Sequence, residues 1–242
     1  MEVGLTDAVL VGVAFIAAFG AATLGSTGGL LLAVMATVLP APLAVPAHAA
    51  IEGVRYGMGW SGLRRTFSPQ IVIAIGFGSF LGIGLSASFA PAVPPHAQAI
   101  LLGAFLFWAC WWPAPEPGKR FPYRLPLVGG ITGACSVFLG ETSPLVRPFI
   151  ADEPVDPALV PATSVAVSAV QHGFKVLAFV LIGVDYLSML PVLAAMIAAT
   201  VAGVLLAERL RLRLPLGLAS LAIRLLVSAL AIRLVVHAAG WI

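Results

Sequence analysis

Long apolar stretches, separated by short polar or proline-containing turns, run through the whole chain. Ten apolar segments can be delimited, at 6–24, 30–39, 44–60, 71–89, 97–112, 125–139, 145–150, 160–182, 187–207 and 216–236. Most of them approach the length of about 20 residues that a helix needs to cross a bilayer. The pattern therefore predicts an all-α polytopic membrane protein with eight to ten membrane segments.

Two glycine-marked breaks interrupt this pattern where a membrane helix should be deep in the bilayer. The first break, residues 25–29, reads Gly-Ser-Thr-Gly-Gly, and the second break, residues 140–144, reads Gly-Glu-Thr-Ser-Pro. Backbone outside a helix is tolerated at that depth only where protein or a polar cavity surrounds it. We therefore expect broken or re-entrant helices that meet near mid-depth, as they do in transporters built from two repeats.

The order of segments repeats in the two halves of the chain. Pairing each residue between 25 and 46 with the residue 115 positions later places the first break on the second. The loop at 64–65 is basic and its counterpart at 183–186 is not, whereas 91–95 is neutral and its counterpart at 209–213 is basic. By the positive-inside rule, equivalent loops then lie on opposite sides of the membrane.

This charge pattern predicts two inverted repeats of about five helical elements each. The first covers residues 1–113 and the second covers 125–242, and a cytoplasmic linker at 114–124 joins them. The same assignment of loops to the two sides of the membrane places both termini on the non-cytoplasmic side. The charges do not decide whether each broken hairpin crosses the membrane or turns back.

Composition agrees with a membrane protein and narrows its partners. Charged residues make up 10% of the 242 residues and hydrophobic residues 60%, with a mean hydropathy of +1.06, whereas soluble domains are about 25% charged. The net charge of +3 comes with no basic run with interleaved aromatics, so we expect contact with lipid headgroups and not with nucleic acid. Cys110 and Cys135 lie inside apolar segments without metal-type spacing, so we expect neither metal nor cofactor. The first segment lacks the positive flank of a cleavable signal and is expected to be retained.

Few titratable residues fall inside the apolar segments, where each charge costs about 2.5–3.5 kcal/mol on insertion scales. The candidates for a functional role are His48, Glu52 and Arg55 in the third segment, Glu141 and Arg147 around the second break, and His172 and Lys175 in the eighth segment. The first three are spaced i, i+4 and i+7 and share one helical face. Their structural interpretation is a Glu52–Arg55 pair, with Arg55 and Lys175 reaching toward a membrane surface. A metal held by His48 and Glu52 would lack a visible third ligand.

The breaks themselves favour an anion. Unpaired N–H groups and the positive dipole end at the start of a half-helix attract negative charge, and hydroxyl groups add donors. We therefore predict a substrate-binding set of Gly25, Ser26, Thr27, Gly28, Gly29, His48, Gly140, Thr142, Ser143 and Arg147. The alternative is that the small residues only permit close packing of helices.

Glu141 would repel an anion beside it unless it were protonated or paired with Arg147, and either condition would couple the substrate to protons. We assign proton coupling or gating to Glu141, Glu52, Arg55, His172 and Lys175.

In these features the chain resembles the TauE/SafE family of sulfite and organosulfonate exporters. The resemblance rests on the two breaks, on the Val-Pro-Ala sequence at 45–47 with its counterpart at 160–162, and on the turn Gly-Val-Asp-Tyr at 183–186. It implies an inverted-repeat transporter, with about eight membrane segments, that moves small sulfur-containing anions outward. The family commonly has Gly-x-Gly-Gly-Gly at both breaks, so the second break of this chain departs from the family.

Together these observations predict a secondary transporter of a small anion, a sulfur oxyanion or organosulfonate, in a bacterial cell inner membrane. No ATP-binding loop of the type Gly-x-x-x-x-Gly-Lys is present in the sequence, so energy is expected from ion or substrate gradients. A passive anion channel is the main alternative. An intramembrane enzyme is a further alternative, with the His48–Glu52 pair as its only candidate group, and we expect no enzymatic activity.

Overall fold

The computed structural model describes residues 4–24, 28–62, 67–210 and 216–241. Of these residues 82% are helical, and none of them forms a β-strand. They form ten α-helices: α1 (Leu5–Leu24), α2 (Gly28–Val38), α3 (Ala41–Gly62), α4 (Pro69–Ala87), α5 (Pro95–Trp111), α6 (Arg124–Leu139), α7 (Ser143–Ala151), α8 (Val160–Leu181), α9 (Leu190–Leu210) and α10 (Leu216–Ala238). Two short 3-10 turns, Ala90–Ala92 and Pro157–Leu159, precede α5 and α8. The ten predicted segments correspond one to one with these helices, so the all-α prediction is confirmed.

Five of these helices, α1, α4, α8, α9 and α10, are long and apolar enough to cross a membrane. Helices α5 and α6 are apolar but shorter, at 17 and 16 residues. Helix α3 has 22 residues, and His48, Glu52 and Arg55 interrupt its apolar sequence. This set of helices is compatible with insertion into a membrane.

Prolines and glycines set several helix ends. Pro69 and Pro95 open α4 and α5, where a missing proline N–H costs no helical hydrogen bond. Helix α6 ends at Leu139, and Gly140, which caps it, has a φ of 72° that disfavours a residue with a Cβ. A Cβ there would also lie 2.6 Å from Cδ2 of Leu32. The second break is therefore a true interruption between α6 and α7, and it is pressed against α2.

The helices pack mainly in four pairs: α4 with α6, α1 with α9, α3 with α8, and α5 with α10. Glycines allow the α4–α6 pair to approach closely, since a Cβ added at Gly129 would lie 3.0 Å from Cα of Ile75. Polar contacts tie further helices together. Gln171 of α8 donates to the hydroxyls of Ser79 and Thr132, at 2.9 and 3.3 Å, so one buried side chain joins α8 to α4 and α6.

Helices α3 and α8 run antiparallel along one another through the centre of the bundle. Gly59 lies beside Val165, and Gly53 lies beside His172, where a Cβ would be 3.6 Å from Cβ of the histidine. Farther along the pair, the Tyr186 hydroxyl donates to the carbonyl of Pro46 at 3.2 Å. The middle of each helix therefore faces the middle of the other, and both middles carry polar residues.

The turn after α7 is fixed by ion pairs. Arg124 contacts Asp152 at 2.8 Å and also Glu153, and Arg120 contacts Asp152 at 3.2 Å. Hydrogen bonds from the two guanidinium groups lower the pKa of Asp152 below its usual value. The basic linker and the acidic turn therefore meet at one end of the bundle.

Candidate functional site

A cluster of buried polar side chains lies where α3, α8 and the second break meet. His48, Glu52, Tyr56, Glu141, His172 and Lys175 are all buried. Few charged groups are buried this deeply in proteins unless they are paired. The hydrogen bonds and ion pairs of each member therefore show how the cluster is stabilised.

Glu141 is the most heavily contacted member of the cluster. One carboxylate oxygen accepts from the backbone N–H of Ser143 at 2.9 Å and from the hydroxyl of the same residue. The other oxygen accepts from the Tyr56 hydroxyl at 3.1 Å and lies 3.7 Å from Nε2 of His172. Glu141 thus occupies the position at the start of α7 where the sequence predicts that an anion binds.

Glu52 is held by Arg55, as the spacing on α3 predicts. Nε of Arg55 lies 2.9 and 2.8 Å from the two carboxylate oxygens, and a second nitrogen of the guanidinium also contacts the carboxylate. The same guanidinium lies over the ring of Tyr56, 4.0 Å from its centroid. Arg55 therefore neutralises Glu52 and fixes the tyrosine that binds Glu141.

Two histidines and a lysine complete the cluster. The rings of His48 and His172 lie 5.7 Å apart between centroids, and Nδ1 of His172 makes no hydrogen bond to any described residue. The ammonium group of Lys175 donates to the carbonyl of Gly140, which ends α6. With neutral histidines, the two carboxylates balance the two cations, so the cluster carries no net formal charge.

His48, Glu52 and Glu141 place potential metal-ligand atoms within 4.8 Å of one another. Glu141 is thus a third group near His48 and Glu52, which the sequence did not reveal. However, Arg55 takes both oxygens of Glu52, and Ser143 and Tyr56 take those of Glu141. The arrangement in the structure is an internally satisfied ion-pair network, and it does not present these groups to a cation.

A cavity of about 220 Å³ adjoins this network. Gly29 and Leu30 at the start of α2 line it, as do Glu141 and Pro144 of the second break. Arg224 of α10 lines the same cavity and makes no hydrogen bond or ion pair with any described residue. Residues of both breaks therefore meet around one space that also contains an unpaired cation.

A second cavity, of about 440 Å³, contains Arg147. Its other lining residues are Trp108, Ala109, Trp112 and Ala114 from the end of α5 and its linker, and Ser143, Pro144, Pro148 and Ala151 from α7. Ala109 and Pro144 line both cavities, so the two spaces are neighbours.

The structure brings most of the predicted site residues together, namely His48, Glu52, Arg55, Gly140, Glu141, Ser143, His172 and Lys175. Thr142 is buried beside them as the residue before α7, and its backbone carbonyl accepts from Leu145 and Val146. Gly28 and Gly29 begin α2, and Gly29 reaches the first cavity. Arg147 is exposed on α7 and does not contact Glu141. Gly25, Ser26 and Thr27 lie outside the described residues.

Sequence reasoning missed two residues of this region, Tyr56 and Arg224. Tyr56 lies four residues after Glu52 on the same helical face, so the spacing rule that selected Arg55 could have included it. Arg224 is a charge inside an apolar segment, and the criterion that selected Arg147 applies equally to it.

Comparisons with protein-family models, curated proteins and solved structures give no match for this chain.

Proposed function

We propose that the chain is a secondary transporter that moves a small anion, a sulfur oxyanion or organosulfonate, outward across a bacterial inner membrane in exchange with or together with protons. The observation that carries the proposal is the cavity that Gly29 of the first break, Glu141 and Pro144 of the second break, and Arg224 line together, where Arg224 pairs with no described residue.

The cavity suits a small oxyanion in charge and size. A guanidinium group without a protein partner is costly among apolar helices, and it offers paired N–H donors to an oxyanion. Gly29 allows close approach to the backbone at the start of α2. The volume of about 220 Å³ is below the range of about 300–1,000 Å³ that is usual for drug-sized ligands, so a compact substrate fits best.

Proton coupling follows from the position of Glu141. Its ionised carboxylate uses the donors of Ser143 and Tyr56, which an incoming oxyanion would also need. Protonation removes the repulsion between the two anions and weakens the hold of these donors on Glu141. His172 and Lys175 of α8, His48, Glu52 and Arg55 of α3, and Arg224 across the cavity are the other charged or titratable groups around it.

The pattern of helix packing supports the inverted repeat. If α1–α5 correspond in order to α6–α10, the counterpart of the α4–α6 contact is the contact between α9 and α1, and both contacts are extensive. The α3–α8 and α5–α10 contacts map onto themselves, as expected for two-fold symmetry between residues 1–113 and 125–242. Relative motion of two such halves around a fixed central site is the usual route to alternating access.

Three contacts support the assignment of sides. Arg120 of the linker meets Asp152, and the Ser68 N–H donates to Thr163 at 3.0 Å, which joins loops that the charge pattern places in the cytoplasm. Tyr186 and Pro46 meet at the opposite end. The linker at 114–124 is then cytoplasmic, and both termini are on the other side.

The resemblance to the TauE/SafE exporters supports a sulfur-containing anion as substrate. The family's second break is rich in glycine, whereas this chain has a carboxylate and hydroxyls there. We attribute to this difference a direct competition between Glu141 and the substrate.

Flux measurements in liposomes test the proposal. Sulfite, thiosulfate, sulfoacetate, sulfate and simple carboxylates are offered to the wild type, to Arg224→Gln and to Arg233→Gln. Arg233 is the matched control because it is also exposed on α10 but does not line the cavity. We expect saturable flux with counterflow for at least one sulfur anion, about tenfold slower in Arg224→Gln than in Arg233→Gln. Flux without saturation or counterflow would indicate a channel, and no flux of any anion would refute the proposal.

A further inference from the structure

The cavity that contains Arg147 has the features of a binding site of its own. Val146 and Ile150 form the buried side of α7, and Arg147 is exposed on that helix and lines the cavity. Its guanidinium makes no hydrogen bond or ion pair with any described residue. The cation is therefore free to bind a ligand.

The nearest acidic residues along the chain do not neutralise Arg147. Asp152 and Glu153 follow α7 directly, but Arg120 and Arg124 already bind them. Across the cavity, α5 contributes only apolar and aromatic groups. The positive charge of Arg147 thus has no counter-charge among the residues that line the cavity.

The opposite wall supplies aromatic surface. Trp108 and Trp112 are four residues apart at the end of α5 and both line the cavity, so their indoles lie on one side of that helix end. An indole contributes a large apolar surface at little cost in conformational entropy. The volume of about 440 Å³ is within the usual range of ligand pockets, about 300–1,000 Å³, and is larger than an inorganic oxyanion requires.

We propose that this cavity is a second anion site, which binds an oxyanion carrying an apolar substituent. Arg147 pairs with the anionic head, and Trp108 and Trp112 pack on the apolar part. Two ligands have this chemistry: a soluble organic sulfonate and the phosphate head of an anionic phospholipid. Because Ala109 and Pro144 also line the central cavity, a soluble anion bound here is next to the transport site. This last step rests on the proposed function, whereas the binding site itself does not.

Calorimetry and native mass spectrometry on the purified protein test the site. In nanodiscs of phosphatidylcholine, benzenesulfonate and methanesulfonate are titrated into the wild type, Arg147→Gln and the control Arg233→Gln, whose altered residue is exposed on α10 and lines neither cavity. We expect benzenesulfonate to bind the wild type more tightly than methanesulfonate does. We also expect Arg147→Gln to lose about tenfold or more in benzenesulfonate affinity, while Arg233→Gln keeps this affinity.

A second arm separates the two sources of the anion. Native mass spectrometry counts phosphatidylglycerol molecules retained by the wild type and by Arg147→Gln. Loss of one retained lipid in the variant identifies a phospholipid ligand, and an unchanged count together with the benzenesulfonate effect identifies a soluble one. If neither benzenesulfonate affinity nor lipid retention depends on Arg147, the second site is refuted. If they do depend on it while liposomes show no anion flux, the site stands and the transport function fails.

Discussion

Glu141→Gln is the substitution that tests the proposed proton coupling most directly. The ionised carboxylate accepts three hydrogen bonds, two from Ser143 and one from Tyr56. A hydrogen bond to a charged group is worth about 1 kcal/mol more than one to a neutral group, so three of them hold the carboxylate about 3 kcal/mol more tightly than an amide. If the substrate competes for these donors, the variant should bind it about a hundredfold more tightly at neutral pH.

The same competition predicts a pH dependence. Above the pKa of Glu141 the protonated fraction falls tenfold with each pH unit, so the apparent dissociation constant of the wild type should rise up to tenfold per unit. The variant should show no such slope. A sulfonate is the appropriate substrate, because its charge stays constant between about pH 5.5 and pH 8, so a change in affinity over this range reports titration of the protein alone.

Flux and binding in liposomes over this pH range give the required measurements, with Glu141→Asp as a control that keeps the charge. Thermal stability of each variant is recorded in parallel, since Lys175 loses its compensating charge in Glu141→Gln. The reasoning would be refuted by a wild type whose affinity does not change with pH. A slope that persists in Glu141→Gln would refute it as well.

Three further substitutions test the surrounding structure. Gly129→Ala places a Cβ against the backbone of Ile75 and should lower the free energy of unfolding by about 1–3 kcal/mol. In the control Gly130→Ala the nearest atom to the new Cβ is 3.6 Å away, so the melting temperature should change little. Equal shifts of the melting temperature in the two variants would contradict the α4–α6 packing. Lys175→Met should reduce the free energy of unfolding by about 3–5 kcal/mol because it removes a buried cation that offsets the charge of Glu141. Adding Glu141→Gln should recover part of this loss in a double-mutant cycle, and purely additive losses would argue against electrostatic coupling between the two residues. The folded structure lowers the pKa of Asp152. The ionised side chain therefore stabilises the fold above its unfolded pKa of about 3.9, and this stabilisation is lost as the pH falls through the folded pKa. The protection of the amides at 152–156 against hydrogen exchange, relative to their intrinsic rates, should therefore fall in acid in the wild type but not in Asp152→Asn.

The helices could be predicted from the sequence because each of them coincides with a continuous apolar stretch bounded by polar or proline-containing turns. Their ends differ where local chemistry competes with hydropathy. Helix α3 begins at Ala41, three residues before the predicted segment, since Pro42 is tolerated in a first turn. Helix α9 begins at Leu190 because Asp185 accepts from the N–H groups of Leu187 and Ser188 and holds a turn there.

The site could be predicted only in its local parts. The spacing of Glu52 and Arg55 on one helix led directly to their ion pair. The contact between Tyr56 and Glu141 joins residues 85 positions apart, and no local pattern contains that information. Arg147 is close to Glu141 in sequence, but the intervening helix start turns its side chain to another cavity. Closeness in sequence therefore suggested a partner that the fold does not bring together.

The central network is better explained by function than by stability. Taking ions out of water costs several kcal/mol each, and apolar side chains of similar volume often stabilise a core as well or better. Among the residues that the structure describes, Glu52, Arg55, Glu141 and Lys175 balance one another, so the cluster adds no net charge with neutral histidines. One proton or one anion added to such a cluster is uncompensated, whereas both together preserve neutrality. A balanced network beside a cavity with an unpaired cation thus favours binding the two ions jointly, and this is the property that a proton-coupled anion transporter requires.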